Sequence, residues 1–143
     1  MIRKFKTKDF EDVMDLWLST NIQAHSFIHR DYWTSNYELV KEMLPNAELF
    51  VHERDGKVMA FMGVDNGYIA GIFVSNEVQS QGIGRQLLER AKAVYDELSL
   101  TVYQKNEKAI AFYQREQFVI RQEKTDENTN EIEYLMMWRK SSL

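Results

Sequence analysis

The chain contains no cysteine. A disulfide framework, a zinc ribbon and a thiolate nucleophile are excluded together, and any covalent intermediate needs a different nucleophile. There is one proline, Pro45, and only six glycines, scattered, so no stretch reads as a linker. No internal repeat is visible. No apolar run approaches the roughly 20 residues needed to cross a bilayer. The opening MIRKFKTKDF has basic residues but no apolar core behind them, unlike a secretory signal. These absences predict a soluble cytoplasmic protein with no membrane partner. A formal net charge of -4 weighs against nucleic acid, which demands a basic patch, and is compatible with a cationic partner. What is present is ordinary: 143 residues, 44% hydrophobic and 28% charged, which suit a single domain over 1–143.

Hydrophobic spacing orders the elements. A short strand is expected at 2–5. Phe10, Val13, Met14, Trp17 and Leu18 fall at helical intervals, with Asp9, Glu11 and Asp12 at the positive end of that helix. A second helix runs over 32–44 and stops at Pro45. The period then changes. Strands are expected at 48–53, 58–64 and 68–74, separated by Asp55-Gly56 and Asp65-Asn66-Gly67, both hairpin-turn signals. The strand at 68–74 is almost uncharged and therefore central. A stripe of Ile83, Leu87, Leu88, Ala91, Val94, Tyr95 and Leu98 predicts a helix over 83–98. A strand at 98–103, a short helix at 107–115, and strands at 118–122 and 132–139 follow, the last two joined by a solvated loop, KTDENTN. Hairpins followed by βαβ crossovers predict a mixed α/β (α+β) sheet.

The informative segment is Gln79-Ser80-Gln81-Gly82-Ile83-Gly84-Arg85. It joins the apolar strand to the long helix. Free backbone amides and the helix dipole converge at such a junction and make an anion site without a lysine. Gly82 and Gly84 allow close approach to the backbone, although two glycines alone also suit a plain tight turn. A dinucleotide fingerprint is excluded because Leu87 stands at its third glycine, and a Walker A loop lacks its lysine.

Gln79-x-x-Gly82-x-Gly84 resembles the Gln/Arg-x-x-Gly-x-Gly/Ala signature of the GNAT superfamily of N-acetyltransferases. Downstream, Asn106-x-x-Ala109-x-x-Phe112-Tyr113 resembles that family's Asn-x-x-Ala-x-x-Phe-Tyr pattern, one helix and one strand later. The resemblance covers about 48–120. It implies a mostly antiparallel central sheet of about seven strands flanked by about four helices. It implies acetyl-CoA as co-substrate, with the pyrophosphate on Gln79, Gln81, Gly82, Ile83, Gly84 and Arg85. The pantetheine arm and acetyl carbonyl would lie along Ile72, Phe73 and Val74, with Asn106 also reaching the arm. Asn106 equally suits an N-cap, and Phe112 reads best as core. The resemblance gives Tyr113 the task of serving the departing thiolate, which suits a phenol. One departure stands out: the family continues Tyr-x-x-x-Gly-Phe, and here Gln117 occupies the glycine position.

Acetyl transfer needs a neutral amine, and a base usually helps. The glutamate that many family members carry on the central strand is missing from Tyr68-Ile69-Ala70-Gly71. His25, between the first two helices, is the expected catalytic base because imidazole titrates near neutrality; Asp65 and His52 are alternatives. Phe27, Trp33, Tyr134 and Trp138 are candidate pocket walls, and Tyr103 ends the strand expected to splay from 68–74. The reading is direct transfer from acetyl-CoA to a small-molecule or peptide amine, by a monomer or homodimer, without a metal. Its rivals are an enzyme for longer acyl groups, a CoA-binding module or sensor without transferase activity, and an interaction domain that has kept the fold.

Overall fold

The computed structural model describes residues 1–141. Two Asx-Gly turns set the first half of the sheet. Asp55 and Gly56 have φ of 53° and 81°, and Asn66 and Gly67 have 49° and 86°. Positive φ at both central residues matches the right-handed strand twist. They join β2 (Glu48–Arg54), β3 (Lys57–Asp65) and β4 (Tyr68–Val74) as an antiparallel meander, with β1 (Ile2–Lys4) on the outer edge of β2. The helix α3 (Ile83–Val94) then crosses to β5 (Glu97–Tyr103), parallel to β4. The helix α4 (Glu107–Arg115) leads to β6 (Val119–Asp126), and β7 (Glu131–Arg139) inserts between β5 and β6. The strand order is β1-β2-β3-β4-β5-β7-β6, so β4 is central as its composition predicts. Helices α1 (Phe10–Ala24) and α2 (Arg30–Met43) complete four.

The core has two halves, one on each face of the sheet. Leu87, Leu88 and Ala91 of α3 pack with Met62, Leu98, Leu100 and Phe118. Val13, Met14 and Trp17 of α1 pack with Trp33, Val51 and Phe61. Strand β3 serves both and is buried from Val58 to Val64, which is why it reads as a continuous apolar run.

Two irregularities open the sheet. Gly63 pairs with Gly71 and Val64 with Ile69, so Ala70 is an extra residue that bulges β4. Strands β4 and β5 pair only at Tyr68 and Ser99, where the Tyr68 hydroxyl also lies 3.0 Å from Thr101 Oγ1. Beyond that point they part and leave one edge of Ile72–Val74 without a partner strand. Ligands favour such an opening at the carboxyl ends of parallel strands.

The structure shifts some boundaries. The α3 helix ends at Val94, not 98, because Tyr95 turns extended (φ -113°, ψ 140°) and Leu98 becomes the first inward side chain of β5. The stripe at 94–98 satisfies both periods, and the sheet claims it. Strand β6 runs through Asp126 into the expected loop; its exposed, polar face carries no hydrophobic period. Gln117 closes α4 at φ 77°. Phe118 N–H bonds the Tyr113 carbonyl and Gln117 N–H that of Gln114, at 3.0 and 3.1 Å, a Schellman closure made without glycine. A left-handed non-glycine residue costs about 1 kcal/mol. Gln117→Gly is therefore expected to raise the melting temperature by roughly 3 °C; an unchanged or lower value in thermal unfolding would show that the Gln117 side chain compensates.

Candidate active site

The splay opens a cleft of about 1420 Å³. The N-terminus of α3 lies at one end, β4 along the middle, and Tyr103, Asp126 and Glu133 at the other end.

At the first end, Ser80 and Gly82 both take left-handed φ, 66° and 78°, which turns successive amides toward one concavity. The first bond of α3 is Gln86 N–H to the Gly82 carbonyl at 3.1 Å. The amides of Ile83, Gly84 and Arg85 precede it and have no intrahelical acceptor, and no side chain caps them. Three free donors on a positive dipole end form an anion cradle. A Cβ on Gly82 would meet nothing within 4 Å, so this glycine serves the φ and the open mouth. Gly84 answers to packing: a Cβ there would lie 3.2 Å from Phe112 Cζ. Gln79 donates to the Val74 carbonyl at 3.2 Å and braces the loop. Gln81 does not line the cleft; its Oε1 accepts from Arg54 at 2.9 Å. Arg85 lines it beside Lys108 and Arg115. These last two cations carry no motif that would single them out.

Along the middle, Ile72, Phe73 and Val74 present their unpaired edge. The Phe73 ring stacks on Phe61 at 4.6 Å and folds over Gly71, where a Cβ would collide with it. Tyr113 of α4 is 8% exposed and lines the same cleft. Its hydroxyl has no hydrogen-bond partner in the protein among the described residues. Burial pushes its phenol well above the ordinary value, with Tyr68 adding to the shift. Tyr113 is therefore a neutral donor with nothing yet to donate to.

Asn106 caps α4. Its Oδ1 accepts from Ala109 N–H at 3.3 Å, and its Nδ2 lies 3.3 Å from His25 Nε2. The His25 ring is stacked on Trp33 at 5.2 Å and meets Phe27 and Tyr103 edge-on. Burial holds its pKa below the ordinary value, while the Asn21 backbone pulls weakly the other way. The Tyr103 hydroxyl donates to Asp126 Oδ2 at 2.7 Å; burial and then that carboxylate drive the Tyr103 phenol far up. Glu133 lines the cleft nearby, and the charge of Lys105 is matched by Glu131 at 3.1 Å.

The structure thus brings together His25, Ile72, Phe73, Val74, Gln79, Gly82, Ile83, Gly84, Arg85, Asn106 and Tyr113 on one cleft. Asp65 and His52 lie off it. Asp65 is exposed at the end of β3, and His52 is buried on β2 with Nε2 3.3 Å from the chain's amino group. Of the aromatic candidates, Trp33 lines the cleft and Phe27 backs His25. Tyr134 is turned to Gln104, and Trp138 lies under Lys92. Asp126 and Glu133 were not legible in the sequence, since nothing in a polar hairpin marks which carboxylates turn inward.

A model of the Acetyltransferase (GNAT) family matches residues 10–118. The chain is 34% identical over 140 residues to the peptidyl-lysine N-acetyltransferase YiaC of Escherichia coli, covering 96% of each chain. It is 31% identical over 121 residues to the peptidyl-lysine N-acetyltransferase YjaB of the same organism, covering 83% and 82%. The solution structure of apo YjaB superposes with a TM-score of 0.86 at 24% identity, covering 99% and 98%, which shows the shared fold.

Proposed function

The chain belongs to the GNAT acetyltransferase family, and from that membership we propose that it transfers an acetyl group from acetyl-CoA directly to the side-chain amine of lysine in a protein or peptide. The whole chain, 1–143, works as one acetyltransferase domain. The observation that carries this reading is the continuity of the cleft from the α3 anion cradle to the His25 and Asp126 end. A continuous cleft would let both substrates lie side by side, as a ternary complex requires, and without cysteine no thiol can carry the acetyl group between them. Lysine is favoured because YiaC and YjaB are peptidyl-lysine acetyltransferases. Asp126 and Glu133 also line the acceptor end; Glu133 is paired with Lys124 at 3.6 Å, whereas Asp126 meets no cation among the described residues and attracts one.

The cradle fits a diphosphate: it offers three amides, a positive dipole end and no Cβ in the mouth. Acetyl-CoA supplies an activated thioester. The amides near Phe73 donate to its carbonyl oxygen and strengthen as negative charge grows there. The lysine enters as an ammonium, loses a proton to water in the cleft, and its nitrogen bonds the carbonyl carbon. As the C–S bond breaks, Tyr113 gives its hydroxyl proton to the sulfur. The second amine proton leaves through the same water, and solvent restores the phenol.

The test is incubation with acetyl-CoA and peptides bearing internal lysine or only a free N-terminus, read by mass spectrometry and CoA release. Acetyl-lysine with equimolar CoA is expected. Tight acetyl-CoA binding by calorimetry, with no transfer to any amine, would replace this reading with the CoA-binding module.

A further inference from the structure

The orientation of two side chains between the halves of the cleft follows from one bond. The Ala109 amide can only donate, so the Asn106 carboxamide must turn Oδ1 toward it. That leaves Nδ2, which can only donate, 3.3 Å from His25 Nε2. Nε2 must therefore accept, and the neutral ring carries its proton on Nδ1. Nδ1 is shut away from solvent close to the Asn21 backbone carbonyl, which favours a proton there, but makes no hydrogen bond of ordinary geometry. The stacked Trp33 and the edge of Tyr103 keep the ring from swinging to present either nitrogen elsewhere. One nitrogen is engaged and the other enclosed, so this imidazole is badly placed to take a proton from an incoming amine.

It is well placed for something else. His25 ends the α1 side of the acceptor wall, and Asn106 opens the helix that carries Tyr113 two turns on. Their contact ties segments 81 positions apart in the chain. We propose that His25 is a positioning residue: as a neutral acceptor it holds Asn106, and through it the first turn of α4, in the register that presents Tyr113 to the cleft. The kinetic part of this assignment rests on the transferase reading above; the geometric part does not.

Two measurements test it. In long-range ¹⁵N spectra of the wild type at pH 7, His25 is expected as the Nδ1–H tautomer, and Asn106→Ala should shift the ring toward Nε2–H. A wild-type Nε2–H form or an imidazolium overturns the proposal, as does a tautomer indifferent to Asn106. This readout answers even if no acceptor is ever found, so its failure is distinct from failure of the transferase reading. In turnover, His25→Ala should lower kcat about 10- to 100-fold, the scale of small misplacements of a reacting group. His25→Gln, which offers an amide oxygen at similar reach but cannot titrate, should recover to within about threefold of wild type, since only the accepted hydrogen bond is needed. A His25→Gln variant as slow as His25→Ala, both folded by circular dichroism, would make His25 the base instead.

Discussion

Gly82→Asp is expected to weaken acetyl-CoA binding by at least about 100-fold while leaving the protein folded. The position makes the two effects separable. Gly82 has φ 78°, and a Cβ there would meet nothing within 4 Å, so the new side chain enters the mouth of the cradle without striking protein. The backbone strain is about 1 kcal/mol. It is partly offset because aspartate at the start of a helix accepts from the free amides. Those same amides form the proposed diphosphate site, which the carboxylate would then occupy. Two unit charges about 4 Å apart repel by about 4 kcal/mol at the effective dielectric of a protein surface, and each 1.4 kcal/mol is about tenfold in affinity. Gly82→Asn is the control, with the same shape and strain but no charge. Calorimetry should find the asparagine variant much closer to wild type, and the gap between the two should narrow at high salt. Equal losses in both variants would assign the effect to shape. Unchanged binding in both would remove the coenzyme from this loop altogether.

Tyr113→Phe is expected to lower kcat by roughly 100- to 10,000-fold, the range for a lost general acid, with KM for acetyl-CoA and stability almost unchanged. The ring packs in the core near Phe112 and Phe118, and phenylalanine keeps that packing. The lost hydroxyl has no protein partner, so no buried group is orphaned by its removal. Because burial raises the Tyr113 pKa, the folded protein keeps this donor protonated through neutral and moderately alkaline pH. In the proposed transfer the proton would then be present whenever the thiolate leaves, and any alkaline limb below the ordinary phenol range would belong to another group. A variant that turns over like wild type would reduce Tyr113 to packing and give the thiolate's proton to solvent.

Local signals made much of this protein readable. Asp55-Gly56 and Asn66-Gly67 are turn chemistry with a stereochemical cause, and both adopt the positive φ they promise. The glycines at 82 and 84 stand where a strand meets a helix, and the motif around them names an anion site from seven consecutive residues. Asn106 was legible as a cap because capping is a matter of three residues. Errors fell where two periods compete, as at 94–98, or where a polar edge strand has none, as in β6.

By itself, then, the sequence determined the order of elements, the central place of β4, the glycine-bearing strand-to-helix loop and, through the family resemblance, the motif that ends in Tyr113. Each of these depends on residues close together in the chain, or on the hydrophobic period of one element. The tertiary structure alone decided how far β4 and β5 part, and that Gly84 sits tightly against Phe112 of another helix. It alone turned Asp126 and Glu133 into the cleft while leaving Asp65 outside, and locked His25 to Asn106. Those are relations between residues tens of positions apart, set by packing and by the accounting of buried donors and acceptors, and no local pattern encodes them.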